Sequence, residues 1–190
     1  MREEILVAAA ALLADLGDAD ALTIRAVAAA CSVTSPAVYQ HFADKEALLR
    51  AILAREFEVF QRRLAEAEAG VQDACAAMRL RCLEYVRFGA EQPGSYRVLF
   101  SARDLGPKSL ALEAPEPHPG AGVFNDLFVA VERCLLVQRR AASETGFVAL
   151  QLWTALHGIV DLRITKPEID WPPADRMVDA LLEQLRLSGS

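Results

Sequence analysis

The sequence predicts an all-α protein of about nine helices, with a small helix-turn-helix domain followed by a larger helical domain. Apolar residues recur every three or four positions along most of the 190-residue chain, which is the period of an amphipathic helix. Two very short helices joined by a tight turn are predicted within residues 23–42, an arrangement typical of the helix-turn-helix. We expect residues 1–48 to form the first domain and residues 49–190 the second.

The first helix is predicted over residues 2–16. Gly17 follows it, and a glycine in this place commonly ends a helix in the left-handed conformation. The apolar residues expected on its inner face are Ile5, Ala9, Leu12, Leu13 and Leu16.

Two short helices come next. Thr23 is a suitable N-cap for the first of them, because its hydroxyl can accept a hydrogen bond from an unpaired backbone N–H. Thr34 is expected to cap the second, and Pro36 lies in its first turn, where the missing N–H of proline costs little. The residues expected to face inward here are Ile24, Val27, Ala28, Cys31, Val38 and Phe42.

The outward side of the second short helix is small, polar and aromatic. Such residues can hydrogen-bond phosphates and base edges, and Ala37 can contact a thymine methyl group. Asp44 caps a long helix, and Lys45 stands beside the free backbone N–H groups at its start, a combination that binds phosphate. The pattern favours a DNA-reading surface over an ordinary polar surface. Its outward residues are Ser35, Ala37, Tyr39, Gln40 and His41.

These residues resemble the N-terminal domain of the TetR/AcrR family of transcriptional regulators. The string Tyr-x-His-Phe-x-x-Lys-x-x-Leu-Leu, from Tyr39 to Leu49, is the most specific part of a match over about the first 50 residues. The resemblance implies phosphate contacts by Thr23, Arg25, Tyr39, His41 and Lys45. It also implies that Ser35, Pro36, Ala37 and Gln40 lie nearest the bases, with Thr34 beside them.

One residue departs from the family pattern. The family usually has glycine in the turn between the two short helices, where this chain has Ser32. A residue other than glycine can adopt the left-handed conformation only at a cost in free energy. We therefore expect the turn, and with it the angle of the second short helix, to differ slightly from the usual one.

The charge of the chain argues against DNA binding. The net charge is −6, and the first 50 residues carry four basic against seven acidic side chains, a net charge of −3. Non-specific affinity for DNA comes mainly from neutralising phosphates. The acidic residues cluster in the first helix and the loop after it, away from the predicted DNA surface. We therefore expect non-specific binding to DNA to persist, but to be weak and strongly salt-sensitive.

The second domain is predicted to contain six helices. They cover 44–69, 71–91, a short segment through Tyr96, Leu99 and Phe100, 123–140, 142–165 and 174–187. Residues 105–122 carry four prolines, which predicts a mobile surface loop or lid.

The segment 142–165 is apolar on two sides. One side is traced by Phe147, Leu150, Trp153, His157, Val160 and Ile164, and the other by Leu152, Leu156 and Ile159. One side can pack within its own domain, whereas the other needs a partner. The last helix has a stripe of Met177, Leu181 and Leu185, so that these two helices and their copies would form a four-helix bundle. An apolar content of 53% fits an obligate dimer.

Two strings in this domain resemble one subgroup of the same family. They are Trp153-x-x-x-His157-Gly158 and Pro93-Gly94-x-Tyr96-Arg97-x-x-Phe100. The resemblance implies a homodimer through the last two helices and a ligand cavity among the middle ones. The candidate cavity residues are Met78, Cys82, Tyr85, Phe88, Tyr96, Phe100, Phe124, Phe128, Trp153 and His157.

Each candidate cavity residue also has a structural interpretation. A lone histidine on an apolar face, such as His157, is more often a core residue than a ligand contact, and single aromatic residues are more often core as well. As a group beside a proline-rich loop they predict an apolar cavity. Few charged residues besides Arg81 and Asp161 are expected there. We therefore expect a mostly hydrophobic effector. Gly158 is expected to allow close helix contact.

Three kinds of function can be compared on these features. The favoured one is a dimeric repressor that binds a palindromic operator and is released by a small hydrophobic effector. The −3 charge allows a protein-interaction module that has lost DNA binding. Enzyme chemistry is not expected, because the three histidines are far apart in sequence and no glycine-rich phosphate loop or H-E-x-x-H motif occurs. We expect no metal and no cofactor.

The cysteines and the N-terminus indicate the cellular compartment in which we expect the protein. Cys31, Cys75, Cys82 and Cys134 have no metal-binding spacing, and reduced core cysteines are expected, with a redox sensor as the alternative. The chain begins without a basic-then-apolar pattern, and no spanning segment is expected. These features predict a cytoplasmic protein with no membrane partner.

Overall fold

The computed structural model describes residues 1–101 and 118–188. Over these residues the regular structure is entirely helical, with nine α-helices and one short 3-10 helix, which confirms the all-α prediction. The helices are α1 (Arg2–Leu16), α2 (Ile24–Ala30), α3 (Ser35–Tyr39), α4 (Lys45–Glu68), α5 (Ala74–Glu91), α6 (Pro93–Ser101), α7 (Ala121–Val137), α8 (Thr145–Thr165) and α9 (Ala174–Gln184), with the 3-10 helix at Ala142–Glu144.

The chain forms two compact units, and helix α4 contributes to both. Unit 1 comprises Met1–Val59 and Gln92–Ala121, and unit 2 comprises Phe60–Glu91 and Gly122–Ser190. Each unit thus combines segments that are distant in sequence. The predicted boundary between residues 48 and 49 separates a helix-turn-helix domain from a larger helical domain by their functions, and it stays a prediction.

Unit 1 is built around α1, which packs against α2 and α6, while α2 packs against α3. Ile5, Ala9 and Leu13 are buried as predicted, but Leu16 is exposed and Leu12 is half-buried. Leu6 and Ala10 are buried in addition, because α1 is covered on two sides rather than along one stripe.

The contact between α1 and α6 is very close. A Cβ atom at Gly94 would lie 2.7 Å from the Cβ of Ala14 and 3.2 Å from its carbonyl oxygen. A glycine is therefore required where α6 meets the backbone of α1. The Pro93-Gly94 pair, expected to break the chain, begins α6 and allows this approach.

Unit 2 is centred on α5, which packs against α8 and α9. Here too a glycine sets the distance, since a Cβ at Gly89 would lie within 2.1 Å of Val160 Cγ1. On α9 the buried residues are Val178 and Leu182. The predicted apolar stripe of Met177, Leu181 and Leu185 is half-buried, because it lies to one side of the face that meets α5 and α8.

Most helix ends differ from the sequence prediction by a few residues. Helix α5 begins at Ala74 rather than at residue 71, because the Asp73 carboxylate accepts a hydrogen bond from Ala76 N at 2.6 Å. Helix α7 covers Ala121–Val137 rather than 123–140, and α9 ends at Gln184 rather than at residue 187. Of the predicted loop at 105–122, residues 105–117 lie outside the described residues.

The cysteine prediction is wrong for two of the four residues. Cys75 and Cys134 form a disulfide that joins α5 to α7, with their Cα atoms 5.2 Å apart. Cys82 and Cys31 are free, the first buried and the second half-buried. Sequence reasoning did not bring Cys134 beside Cys75.

Helix α8 is more apolar than a core helix of this size requires. Among the described residues, the stretch Ala142–Thr165 is long and apolar enough to cross a membrane by length and composition, contrary to expectation, and 28% of its most apolar window is buried. Its buried residues are Val148, Ala149, Leu152, Leu156 and Val160. Apolar side chains on the other side are left exposed, as the two-sided pattern predicted.

Candidate nucleic-acid interface

The turn between α2 and α3 is closed by two backbone hydrogen bonds. Val33 N donates to Ala28 O at 2.9 Å, and Ser32 N donates to Ala29 O at 3.1 Å. This is the Schellman arrangement, which needs a left-handed residue directly after the helix cap. Ser32 is that residue, with a φ of 56°. The serine therefore occupies the conformation that the family glycine would adopt.

Helix α3 is fixed to the core by Val38, which is fully buried, and by Phe42 just after its end. The opposite side of the helix therefore faces solvent. Tyr39 is 52% exposed, which meets the main requirement of the sequence prediction. The candidate residues that are exposed are Thr23, Arg25, Thr34, Pro36, Tyr39, Gln40 and His41, and those that are half-buried are Ser35, Ala37 and Lys45.

The two threonines at the helix starts differ. The Thr23 hydroxyl accepts a hydrogen bond from Ala26 N at 3.1 Å, as predicted for an N-cap. A hydroxyl that accepts in this way still has its own hydrogen to donate. Within the described residues Thr34 makes no capping bond through its side chain, contrary to expectation, because its backbone carbonyl accepts from Ala37 N and Val38 N instead. Both hydroxyls can therefore donate to an anion.

The start of α4 completes this surface. The Asp44 carboxylate accepts from Ala47 N at 2.7 Å, which confirms the predicted cap. Lys45 Nζ donates to the backbone carbonyl of Asp20 at 3.0 Å. Because an ammonium has three donors, this bond fixes the lysine in position and leaves two N–H groups for another acceptor.

Two of the three acidic residues of α1, Glu3 and Glu4, are paired with cations of unit 1. Glu3 accepts from Arg55 Nε at 2.8 Å, and Glu4 lies 3.0 Å from the N-terminal ammonium. The Glu3 contact is the largest of the causes that raise the pKa of Arg55. These pairs reduce the repulsion that the −3 net charge of the first 50 residues would exert on a phosphate backbone.

The candidate cavity residues divide between the two units. Tyr96 and Phe100 belong to unit 1, and their ring centroids are 4.7 Å apart. Phe100 also contacts Phe57 at 6.1 Å, and Phe57 contacts His118 at 5.6 Å. Phe57 and His118 were missed as members of this cluster. Phe57 is a buried residue of α4, whereas His118 falls in the proline-rich stretch, where there is no periodicity to follow.

The other candidates lie in unit 2. On α5, Met78, Cys82 and Phe88 are fully buried, and the Phe60 ring contacts Tyr85 at 5.3 Å and Phe88 at 4.7 Å. A second set joins α7 to α8. There Phe124 lies 4.8 Å from Phe128 and 5.3 Å from Trp153, while Trp153 and His157 are half-buried. That they share one cavity with the residues of unit 1 stays a prediction.

Two polar groups on α5 are buried, the guanidinium of Arg81 and the thiol of Cys82. Arg81 is 5% exposed and binds Glu68 through Nε and Nη2 at 3.1 and 2.7 Å, whereas its buried Nη1 has no hydrogen-bond partner among the described residues. Burial raises the pKa of the neighbouring Cys82 thiol to about 12. Cys82 is therefore a protonated, unreactive core residue at neutral pH.

Comparisons with protein families match both parts of the chain. "Bacterial regulatory proteins, tetR family" matches residues 5–52, and "Tetracyclin repressor-like, C-terminal domain" matches residues 78–185. The second match alone covers more than half of the chain. The comparison with curated proteins finds no match.

Solved structures share the fold at low sequence identity. A protein of unknown function from Rhodococcus sp. RHA1 is 23% identical with a TM-score of 0.78, covering 97% of this chain and 92% of that one. The regulator FadR from Bacillus subtilis in complex with stearoyl-CoA is 12% identical with a TM-score of 0.71, covering 97% of both chains. AibR in complex with isovaleryl coenzyme A and operator DNA is 17% identical with a TM-score of 0.71, covering 99% of both.

Proposed function

The chain belongs to the TetR family of bacterial regulatory proteins, and from this premise we propose that it is a dimeric, effector-released repressor of a palindromic operator. The observation that carries the proposal is the exposed polar surface of α2 and α3, with Tyr39 at its centre. We also assign the chain to the subgroup with the Trp153, His157 and Gly158 signature, and we expect it to act in the cytoplasm as a regulator rather than an enzyme.

Contacts on the DNA surface divide into two kinds. We assign phosphate contacts to Thr23, Arg25, Tyr39, His41 and Lys45, whose hydroxyl, guanidinium, imidazole and ammonium groups are donors that suit phosphate oxygens. Base contacts are assigned to α3. Gln40 has an amide that can pair with adenine, and it is joined there by Ser35, Pro36 and Ala37, with Thr34 at the start of the helix.

The proposed dimer uses the exposed side of α8 and the half-buried stripe of α9. Phe147 is 68% exposed, and Leu150 and Leu162 are 44% and 45% exposed. These residues lie three, four or seven positions from Thr154 and Gly158, so that they follow one side of the helix. No atom of the described residues outside the neighbouring backbone lies within 4 Å of a Cβ built on Gly158, which leaves room for a partner helix.

The proposed effector is apolar and binds among the aromatic side chains of α5, α7 and α8. Two solved structures of this fold hold acyl thioesters of coenzyme A, which makes acyl thioesters the first compounds to test. The proposed signal passes along α4, which contributes to both units. A change in α4 would alter the spacing of the two α3 helices, which must lie about 34–36 Å apart to read successive major grooves.

Mobility shift across a range of salt concentrations tests DNA recognition. We expect Tyr39→Ala to weaken binding to all sequences, by about 1.5–3 kcal/mol for a hydrogen bond to a charged group, because it removes a phosphate contact, and Gln40→Ala to change sequence preference. Tyr39→Phe keeps the ring and removes only the hydroxyl, so it should weaken binding as much as Tyr39→Ala does if the hydroxyl makes the contact. Absence of sequence preference at every salt concentration would exclude the proposal.

The net charge of −3 at the N-terminus supports a second candidate, a protein-interaction module that has lost DNA binding. In that case the surface around Tyr39 would bind a protein. Affinity purification with wild-type and Tyr39→Ala chains distinguishes the two, because a partner lost in the variant and unaffected by competing DNA favours the second candidate.

A further inference from the structure

The disulfide of unit 2 bridges α5 and α7 close to their ends. Cys75 is the second residue of α5, and Cys134 lies in the last turn of α7. Their Cα separation of 5.2 Å falls within the 4.4–6.8 Å that disulfides require. The DNA-binding surface and the proposed effector residues make no use of this bridge.

The two cysteines differ in access. A pocket of about 470 Å³ lies beside the bridge, and Cys75, which is 5% exposed, forms part of its wall. This volume is in the range of small-molecule sites. Cys134 does not line the pocket and is completely buried. A small molecule that enters the pocket therefore meets Cys75 and not Cys134.

The surroundings of the two sulfurs differ in the same sense. Gln138 Nε2 donates toward Cys75 Sγ at 3.6 Å, and Cys75 stands in the first turn of α5, where a helix stabilises a thiolate. Cys134 Sγ lies 3.4 Å from the carbonyl oxygen of Leu187. A Cys134 thiol has an acceptor for its hydrogen at that place. Of the two sulfurs, the hydrogen-bond partners and the helix start thus favour Cys75 as the thiolate, and the acidic side chains that line the pocket oppose this.

We propose that Cys75 is a thiol–disulfide exchange site for a small thiol that enters through this pocket, with Cys134 as the resolving cysteine. A thiolate of the small molecule attacks Cys75 Sγ, the bond to Cys134 breaks, and Cys134 leaves as a thiolate that takes a proton from water. A second small thiolate then attacks the mixed disulfide. It releases Cys75 as a thiolate and forms the oxidised dimer of the small thiol, so that two electrons pass to the protein.

The charge around the pocket indicates which thiols are preferred. Arg79 is bound to Asp179 through two hydrogen bonds of 2.6 and 2.9 Å. Asp73 and Glu183 also line the pocket and leave it with an acidic excess. A thiol that carries an ammonium group is attracted to such a site, whereas an anionic thiol is repelled. The preferred class is therefore the small aminothiols.

The inference concerns unit 2 alone and does not depend on DNA binding. The proposed function gives it a biological meaning, because a DNA-binding protein works beside reduced thiol pools, where disulfides are usually transient or redox-sensing. Its test contains no DNA, so that failure of one proposal is distinguishable from failure of the other.

The first experiment maps the exchange on the oxidised wild-type protein. Cysteamine is added, the reaction is stopped with acid, and peptides are analysed by mass spectrometry. We expect cysteamine to be attached to Cys75 while Cys134 is a free thiol, and the melting temperature to fall by about 5–15 °C on full reduction. Attachment to Cys134 first, or four free thiols after oxidation with cystamine, would overturn the proposal.

The second experiment compares two single variants that both lack the bridge. In Cys134→Ser the thiol of Cys75 is expected to react with cystamine at least tenfold faster than the thiol of Cys134 does in Cys75→Ser. Cystamine is also expected to react with Cys134→Ser faster than the anionic 3,3′-dithiodipropionate, and adding Glu183→Gln should reduce that preference. Equal reactivity of the two cysteines contradicts the proposal, and if either variant fails to fold the wild-type mapping decides.

Discussion

The protein exposes two faces of opposite chemistry. At α2 and α3 the exposed side chains include hydroxyl, guanidinium, amide and imidazole groups beside Tyr39, whereas α8 exposes the apolar residues Phe147, Leu150 and Leu162 among polar ones. Side-chain donors are suited to phosphate oxygens, and exposed apolar residues along one side of a helix support the dimer contact that we propose. The chemistry of each face, more than its degree of exposure, indicates its partner.

The two faces also differ in how the chain supports them. The polar face depends on individual backbone features, namely the left-handed Ser32 and the caps at Thr23 and Asp44. The apolar face is the side of a long regular helix. We therefore expect the first face to respond to changes in backbone conformation and the second to added bulk or charge.

Gly158→Arg should have the largest effect. It places a long charged side chain in the proposed contact between two α8 helices, and we expect dimer affinity to fall at least 100-fold, or about 3 kcal/mol. Sedimentation equilibrium measures it. Val129→Arg is the control, because Val129 is 48% exposed but lies on α7. An unchanged dimer in Gly158→Arg, or equal loss in the control, would show that α8 is not the contact.

Gly94→Ala should have the next largest effect, on stability rather than assembly. The added methyl group would lie 2.7 Å from Ala14 Cβ, and overpacking of this kind costs about 1–3 kcal/mol. Chemical denaturation of the purified chain measures the loss. Gly146→Ala is the matched control, since a Cβ at this helical glycine would come no closer than 3.7 Å to another side chain, that of Phe128. The account of the α1–α6 contact is wrong if the two variants lose equal stability.

Ser32→Gly should stabilise the polar face by a smaller amount. The left-handed conformation costs a serine about 1–2 kcal/mol, and the greater freedom of glycine in the unfolded chain offsets about 0.5–1 kcal/mol of this. We expect a net gain of about 0.5–1 kcal/mol in the free energy of unfolding, measured by urea denaturation. A loss of stability would mean that the serine side chain makes a compensating contact.

Asp179→Asn should have the smallest effect. The hydrogen bond from Arg79 lowers the pKa of Asp179, so that the pair stabilises the folded state above the usual pKa and loses this contribution as the pH falls through the lowered value. Because both side chains are more than a third exposed, we expect less than about 1 kcal/mol at pH 7. The difference between variant and wild type should shrink as the pH falls below the usual pKa of an aspartate and vanish once the carboxyl is protonated. A difference that persists there would have another cause.

Local features of the fold could be predicted from the sequence. The helix-turn-helix is encoded within some 20 residues, by caps, a turn and a short apolar pattern. The expected slight difference of this turn from the usual one stays a prediction, while Ser32 itself takes the left-handed conformation. Features that depend on distant residues could not. Cys75 and Cys134 are 59 positions apart, and their helices had to be packed before the bridge became visible.

The same limit applies to the candidate cavity. Its predicted members on α5 are buried, but the aromatic contact between Phe57 and His118 joins a helix to a segment without periodicity. On α9 the stripe of Met177, Leu181 and Leu185 was predicted, whereas the buried Val178 and Leu182 beside it were not.

The most direct test of the central claim is selection of DNA from a random pool by the purified wild-type chain. The account predicts enrichment of one sequence made of two inverted half-sites, with centres about 10 base pairs or a multiple of this apart, bound by two copies of the chain. A pool that stays random at every salt concentration, or a single half-site bound by one copy, would contradict it.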